Sequence, residues 1–106
     1  MGLLVLACAA CLSPTLPLPP PEPPRTQLSA DRTTVTLDGG GAIPGAFVTV
    51  FNVELGRGVV VTGTPQNTYH AVLDVDLNNF LRNELQIWQR YGKDDSTYIS
   101  VLITPP

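Results

Sequence analysis

"DLNNFLRNELQIWQRYGKDDS", residues Asp76–Ser96, is the stretch that decides the fold of this chain. As a helix, it would carry its apolar residues as one stripe at i, i+3 and i+4 spacing. As β structure, residues 77–83 form a connection and "ELQIWQRY", Glu84–Tyr91, forms a strand with Leu85 and Ile87 facing inward. The pattern of this stretch alone leaves both alternatives open.

The rest of the body favours short β-strands, because apolar and polar residues alternate along it. The clearest alternation is "TYHAVLDVDL", Thr68–Leu77, and the other predicted strands are Thr33–Leu37, Ala46–Val53, 59–62 and Ser96–Ile103. Stretches typical of turns separate them, among them "DGGGAIPG", Asp38–Gly45. Short strands at this spacing predict an all-β sandwich or barrel.

The order of "PGAFVTVFN", "YHAVLDVDL" and "NELQIWQRYGKDDSTYISVLI" resembles the bacterial Ig-like modules of exported proteins. The resemblance implies an antiparallel Ig-like β-sandwich of about seven strands over residues 28–104, with Glu84–Tyr91 as a strand. "TPQNTYH", Thr64–His70, stands where the family has an Asp-Gly-x-Phe turn. The alternative fold family is the transthyretin-like sandwich, which also opens with a Pro-Gly-Ala-like strand. The matching positions are Gly45, Val48, Val50, Asn52, Leu73, Leu85, Ile87, Gly92 and Ser96.

Residues 1–12, "MGLLVLACAACL", are predicted to be a signal segment. They carry no charge and are too short to span a bilayer as a helix, which takes about 20 apolar residues. "LVLAC", Leu4–Cys8, resembles the lipobox of bacterial lipoproteins, which implies that Cys8 is acylated and becomes the first residue of the mature protein. Cys11 is the second candidate, and a small-x-small site around Cys8 also fits ordinary signal cleavage. We therefore expect an exported protein that a lipid anchor holds at the bacterial cell envelope.

Residues 13–27 are predicted to be a proline-rich linker, because they hold seven of the 11 prolines. Consecutive prolines favour an extended polyproline-II spacer of about 3.1 Å per residue. A ligand for a partner domain that recognises proline-rich segments is the alternative function of this stretch.

The composition excludes some functions. The chain has six Lys and Arg residues and a net charge of −3, and these basic residues are scattered, so no nucleic acid partner is expected. The one histidine, His70, is predicted to lie on an outward face, and no motif supplies the orienting acid and the nucleophile that a catalytic histidine needs near it. The sequence therefore predicts a protein that is not an enzyme and has no cofactor.

Two groups of residues remain as candidate sites. Asp94 and Asp95 lie in a predicted turn and are weak candidates for Ca²⁺, which needs more oxygen ligands than two acids supply. Trp88 and Tyr98 are predicted to form an exposed aromatic surface that binds a protein or glycan ligand. Alternatively, Trp88 packs with Phe80 under the connection before its strand. The predicted function is a structural or adhesive module, or else a carbohydrate- or peptide-binding one.

Overall fold

The computed structural model describes residues 17–106, which contain eight β-strands and no helix. Within these residues, no helix offers the length and apolar character that a membrane crossing requires. The all-β prediction is therefore confirmed. The strands are β1 (Arg25–Leu28), β2 (Thr34–Gly40), β3 (Phe47–Asn52), β4 (Arg57–Thr62), β5 (Thr68–Asp74), β6 (Asn83–Tyr91), β7 (Asp94–Asp95) and β8 (Ile99–Ile103).

The strands form two antiparallel sheets. The smaller sheet has the order β1-β2-β5, and the larger has the order β4-β3-β6, with β7 and β8 both pairing with the far edge of β6. Both sheets contribute to one hydrophobic core, which is the arrangement of a β-sandwich. The core includes Val35, Leu37, Tyr69, Ala71 and Leu73 from the smaller sheet and Val48, Val50, Leu85, Ile87 and Ile103 from the larger sheet.

The undecided stretch contains the central strand of the larger sheet. β6 pairs with β3 on one side and with β8 on the other, and both Leu85 and Ile87 are 0% exposed. Ile87 lies between Val50 and Ile99 in the sheet register, so apolar neighbours flank it on both strands. Full burial of such a side chain contributes about 1.5–3 kcal/mol. The strand alternative is confirmed, and the helix alternative is wrong.

One predicted turn is partly a strand. Asp38, Gly39 and Gly40 continue β2 and pair with β5 as far as Thr68. A Cβ atom on Gly39 would lie 2.5 Å from the aromatic ring of Tyr69. Glycine is therefore needed here because a buried ring lies against the backbone, and not because the chain turns.

The proline-rich stretch is joined to the body at residues 19–22, which we call the docked segment. Pro21 is fully buried, the amide of Glu22 donates to the carbonyl of Gly40 at 3.0 Å, and the Tyr69 hydroxyl donates to the carbonyl of Glu22 at 2.7 Å. The side-chain amide of Gln89 donates to the carbonyl of Pro19 at 2.8 Å. This end of the stretch is therefore part of the fold.

β1 follows the docked segment and includes Arg25, Thr26 and Gln27, which were predicted to belong to the linker. These residues pair with Asp38–Thr36 of β2, so the smaller sheet begins before residue 28. The division into a signal segment, a linker and a sandwich stays a prediction, because residues 1–16 lie outside the described part. Cys8 and Cys11 lie there too.

Candidate functional site

The outer face of the larger sheet carries several exposed apolar side chains. Along β6, Trp88 alternates with the core residues, and its register partner on β3 is Thr49, which pairs in turn with Val60 of β4. Val60 is 60% exposed, and Phe47, two residues before Thr49 on β3, is 57% exposed. An exposed apolar surface of this kind is a common mark of a binding site.

A cleft of about 300 Å³ opens on this face beside Trp88, and we call it the aromatic cleft. Trp88 is half-buried, whereas Tyr98 is 55% exposed. The structure thus brings together the two aromatic residues that the sequence singled out. The cleft is lined by Gln86, Trp88, Asp95, Ser96, Thr97 and Tyr98.

Two other exposed apolar residues, Leu102 and Phe80, lie away from the aromatic cleft. Leu102 pairs with Glu84, four residues along β6 from Trp88. Phe80 precedes β6, is 39% exposed and does not line the aromatic cleft. Tyr98 is therefore the aromatic partner of Trp88 in this cleft.

The segment that carries Tyr98 is held against β6 by two hydrogen bonds. The amide of Ser96 donates to the carbonyl of Gln89 at 2.8 Å, and the amide of Gln89 donates to the Ser96 hydroxyl oxygen at 2.9 Å. The Ser96 hydroxyl donates to the carbonyl of Thr97 at 2.7 Å. These bonds fix the wall of the cleft before any ligand binds, and such preorganisation lowers the entropic cost of binding.

The charge at the cleft is partly neutralised. The carboxylate of Asp95 lies 3.3 Å from the guanidinium of Arg90, and both side chains are about half exposed. Asp94 pairs with Tyr91 in the short β6–β7 ladder. Among residues 17–106, no group of three or more His, Cys, Asp and Glu residues is placed to hold a metal ion. Within the described residues, no third acidic side chain therefore joins Asp94 and Asp95 to form a Ca²⁺ site.

The acids at the end of β5 have local partners. Asp74 lies 3.2 Å from the guanidinium of Arg57. Asp76 accepts hydrogen bonds from the side chain of Asn79 and from the amides of Asn79 and Asn78. The Asn79 side chain contributes most to a pKa of Asp76 below its usual value. These bonds identify Asp76 as the residue that shapes the β5–β6 connection.

The outer face of the smaller sheet contains a histidine–aspartate pair that was not predicted from the sequence. His70 Nδ1 and Asp38 Oδ1 lie 2.6 Å apart, beside a cleft of about 470 Å³. Their proximity follows from the β2–β5 register, which no local motif encodes. Nucleophilic catalysis also needs a hydroxyl or thiol next to the histidine. The threonine hydroxyl that borders this cleft, on Thr68, instead hydrogen-bonds to Thr64 at 2.6 Å.

Comparison with protein-family models, curated proteins and solved structures finds no match for this chain. Its function is therefore inferred from its own residues.

Proposed function

We propose that this chain is a non-catalytic protein of the bacterial cell envelope, in which one Ig-like β-sandwich sits on a lipid anchor and a proline-rich stalk. The sandwich serves as a structural and adhesive module outside the cytoplasm. The aromatic cleft is the observation that carries the adhesive function. A carbohydrate- or peptide-binding module that uses the same aromatic residues is the second candidate.

The strand order supports the Ig-like type of sandwich. β1, β2 and β5 correspond to strands A, B and E of an Ig-like domain, and β3, β6 and β8 correspond to C, F and G of the opposite sheet. β4 pairs with β3, as strand C′ does in Ig variable domains. This correspondence makes the outer face of the larger sheet the surface formed by C′, C, F and G.

The anchor and the stalk are supported by the sequence pattern. Leu4–Cys8 matches the lipobox, and proline-rich residues separate it from the body. A lipid anchor with two acyl chains gives stable attachment to a membrane, whereas a single chain gives only marginal binding. The docked segment supports a stalk that continues into the body without a flexible joint at residues 19–22, because its backbone is hydrogen-bonded to the sandwich.

The adhesive function rests on the outer face of the larger sheet. Trp88 and Tyr98 present aromatic surface where polar residues would be expected if the face only contacted water. Aromatic side chains are enriched in binding surfaces because they supply a large contact area at low conformational-entropy cost. The outer face of the smaller sheet differs, since Asp38, His70 and Asp74 make it largely polar.

A cell-adhesion assay tests this function. Bacteria that produce the full chain are washed over a surface coated with purified envelope material, beside bacteria that produce Trp88→Ala or Tyr98→Ala. The matched control is Val72→Ala, which removes an exposed apolar side chain from the outer face of the smaller sheet. We expect the two aromatic variants to lose retention and the control to keep it. Equal retention of all strains, including one without the protein, would contradict the adhesive function.

A further inference from the structure

Two aromatic residues and several polar residues line the aromatic cleft, and this combination restricts the class of ligand. Trp88 and Tyr98 supply aromatic rings, and Gln86 and Thr97 are neutral polar residues of the same lining. Binding sites for small polar molecules commonly combine aromatic walls with a few hydrogen-bonding groups that fix orientation. A pyranose sugar has the complementary surface, because its ring faces expose C–H groups and its edge carries hydroxyls.

The charge around the cleft favours a neutral ligand over an acidic one. Asp95 is the one charged residue among those that line it, and its partner Arg90 lies 3.3 Å away. The chain as a whole has a net charge of −3, so a polyanion would be repelled at long range as well. A neutral ligand is repelled neither by Asp95 nor by the net negative charge of the chain.

The size of the cleft agrees with a small ligand unit. Its volume of about 300 Å³ lies at the lower end of the range of about 300–1,000 Å³ for small-molecule sites. The wall that carries Tyr98 is already held by the Ser96–Gln89 hydrogen bonds. Little ordering is then required when a single sugar unit enters.

We propose that the aromatic cleft binds a neutral pyranose unit of a glycan, with the sugar ring stacked on Trp88 and Tyr98. This inference rests on the proposed adhesive function and names its ligand class. Gln86 and Thr97 are the groups that hydrogen-bond to the sugar hydroxyls.

Trp88 is the one tryptophan of the chain, so its fluorescence reports on the cleft directly. The full chain, purified in a detergent without a sugar headgroup, is titrated with methyl glycosides of neutral pyranoses and with neutral polysaccharides. Affinities are measured by calorimetry for the wild type, Trp88→Ala, Tyr98→Ala and the Val72→Ala control. Circular dichroism establishes that each variant keeps its β structure.

We expect a neutral glycan to change the Trp88 fluorescence. Loss of one stacking ring should weaken binding about tenfold in Trp88→Ala and Tyr98→Ala, with no change in Val72→Ala. Equal affinity of the wild type and a folded Tyr98→Ala variant for the glycan would contradict the proposed binding site.

The outcomes separate the ligand class from the adhesive function. A fluorescence response to acidic glycans or peptides only, or to no ligand, overturns the inference. Cells that still adhere through Trp88 in that case would leave the adhesive function in place. Glycan binding by the purified protein without adhesion of cells would support the ligand class and contradict the adhesive function.

Discussion

Replacing Gln89 with leucine should loosen the docked segment and destabilise the fold. Gln89 is fully buried on β6, and its side chain makes three hydrogen bonds. The side-chain oxygen Oε1 accepts a hydrogen bond from the backbone amide of Ile43 at 2.9 Å. The side-chain nitrogen Nε2 donates to the backbone carbonyls of Pro19 at 2.8 Å and Gly41 at 3.0 Å. Leucine has a similar volume and supplies none of these bonds.

The expected loss follows from the groups that Gln89→Leu leaves unpaired. A buried polar group without a partner costs about 1–3 kcal/mol. Pro19 is exposed and its carbonyl regains water, whereas Ile43 and Gly41 are partly buried and recover less. We therefore expect a loss of about 2–4 kcal/mol in the free energy of unfolding. For a domain of this size, that lowers Tm by roughly 10–25 °C.

Urea unfolding followed by Trp88 fluorescence and by circular dichroism measures this loss. The matched control is Gln86→Leu, the same substitution on the outward face of the same strand, which should change stability by no more than about 0.5 kcal/mol. Limited proteolysis should also cut the docked segment faster in Gln89→Leu than in the control. If both variants were as stable as the wild type and equally resistant, the role of the Gln89 hydrogen bonds in stability and docking would be refuted.

Three further substitutions test other contacts. Burial, together with the nearby charge of Glu22, raises the pKa of Tyr69, so stability should be fully present below about pH 10 and fall as pH rises above it. Tyr69→Phe should flatten that alkaline slope in urea titrations, and an unchanged slope would contradict the burial argument. Gly39→Ala should cost about 1–3 kcal/mol, because its Cβ meets the Tyr69 ring, and an unchanged thermal midpoint would refute this. Asn83→Ala should cost about 2–4 kcal/mol, because buried Asn83 bonds to Asn52 at 3.0 Å and to both the amide and the carbonyl of residue 76; wild-type stability in urea would disprove it.

The period-two pattern predicted most of the strands and their buried faces. The alternation from Tyr69 to Leu73 on β5 matches the structure, because a half-buried strand must place every second side chain in the core. The same alternation placed Trp88 outward once Leu85 and Ile87 were assigned inward. The local pattern is sufficient to predict burial wherever the burial of a residue depends only on which face of its own strand it occupies.

Contacts between residues distant in sequence were not predictable in this way. Gln89 continues the inward series of Leu85 and Ile87, and this is the signal that could have indicated its burial. Its partner Pro19 lies 70 residues earlier in a stretch whose composition indicates a spacer. Likewise, the glycines after Asp38 indicated a turn, since their contact with a ring from β5 is invisible locally.

The aromatic cleft was predictable only in part. The outward position of Trp88 could be predicted from the alternation of β6, and that of Tyr98 from the position of the last predicted strand. Ser96 and Thr97 were missed as cleft residues, because the sequence pattern placed them at the start of the last predicted strand, whereas β8 begins at Ile99. Their place depends on the hydrogen bonds between Ser96 and Gln89, which pair the segment after β7 with β6.

Mass spectrometry of the mature protein tests most directly the claim that this module works outside the cytoplasm on a lipid anchor. The full chain is produced in bacteria with and without globomycin, which inhibits the signal peptidase of lipoproteins. We expect a mature N-terminus at Cys8 that carries a diacylglyceryl group, and a longer precursor when globomycin is present. An unmodified Met1 on the mature protein, unchanged by globomycin, would contradict it.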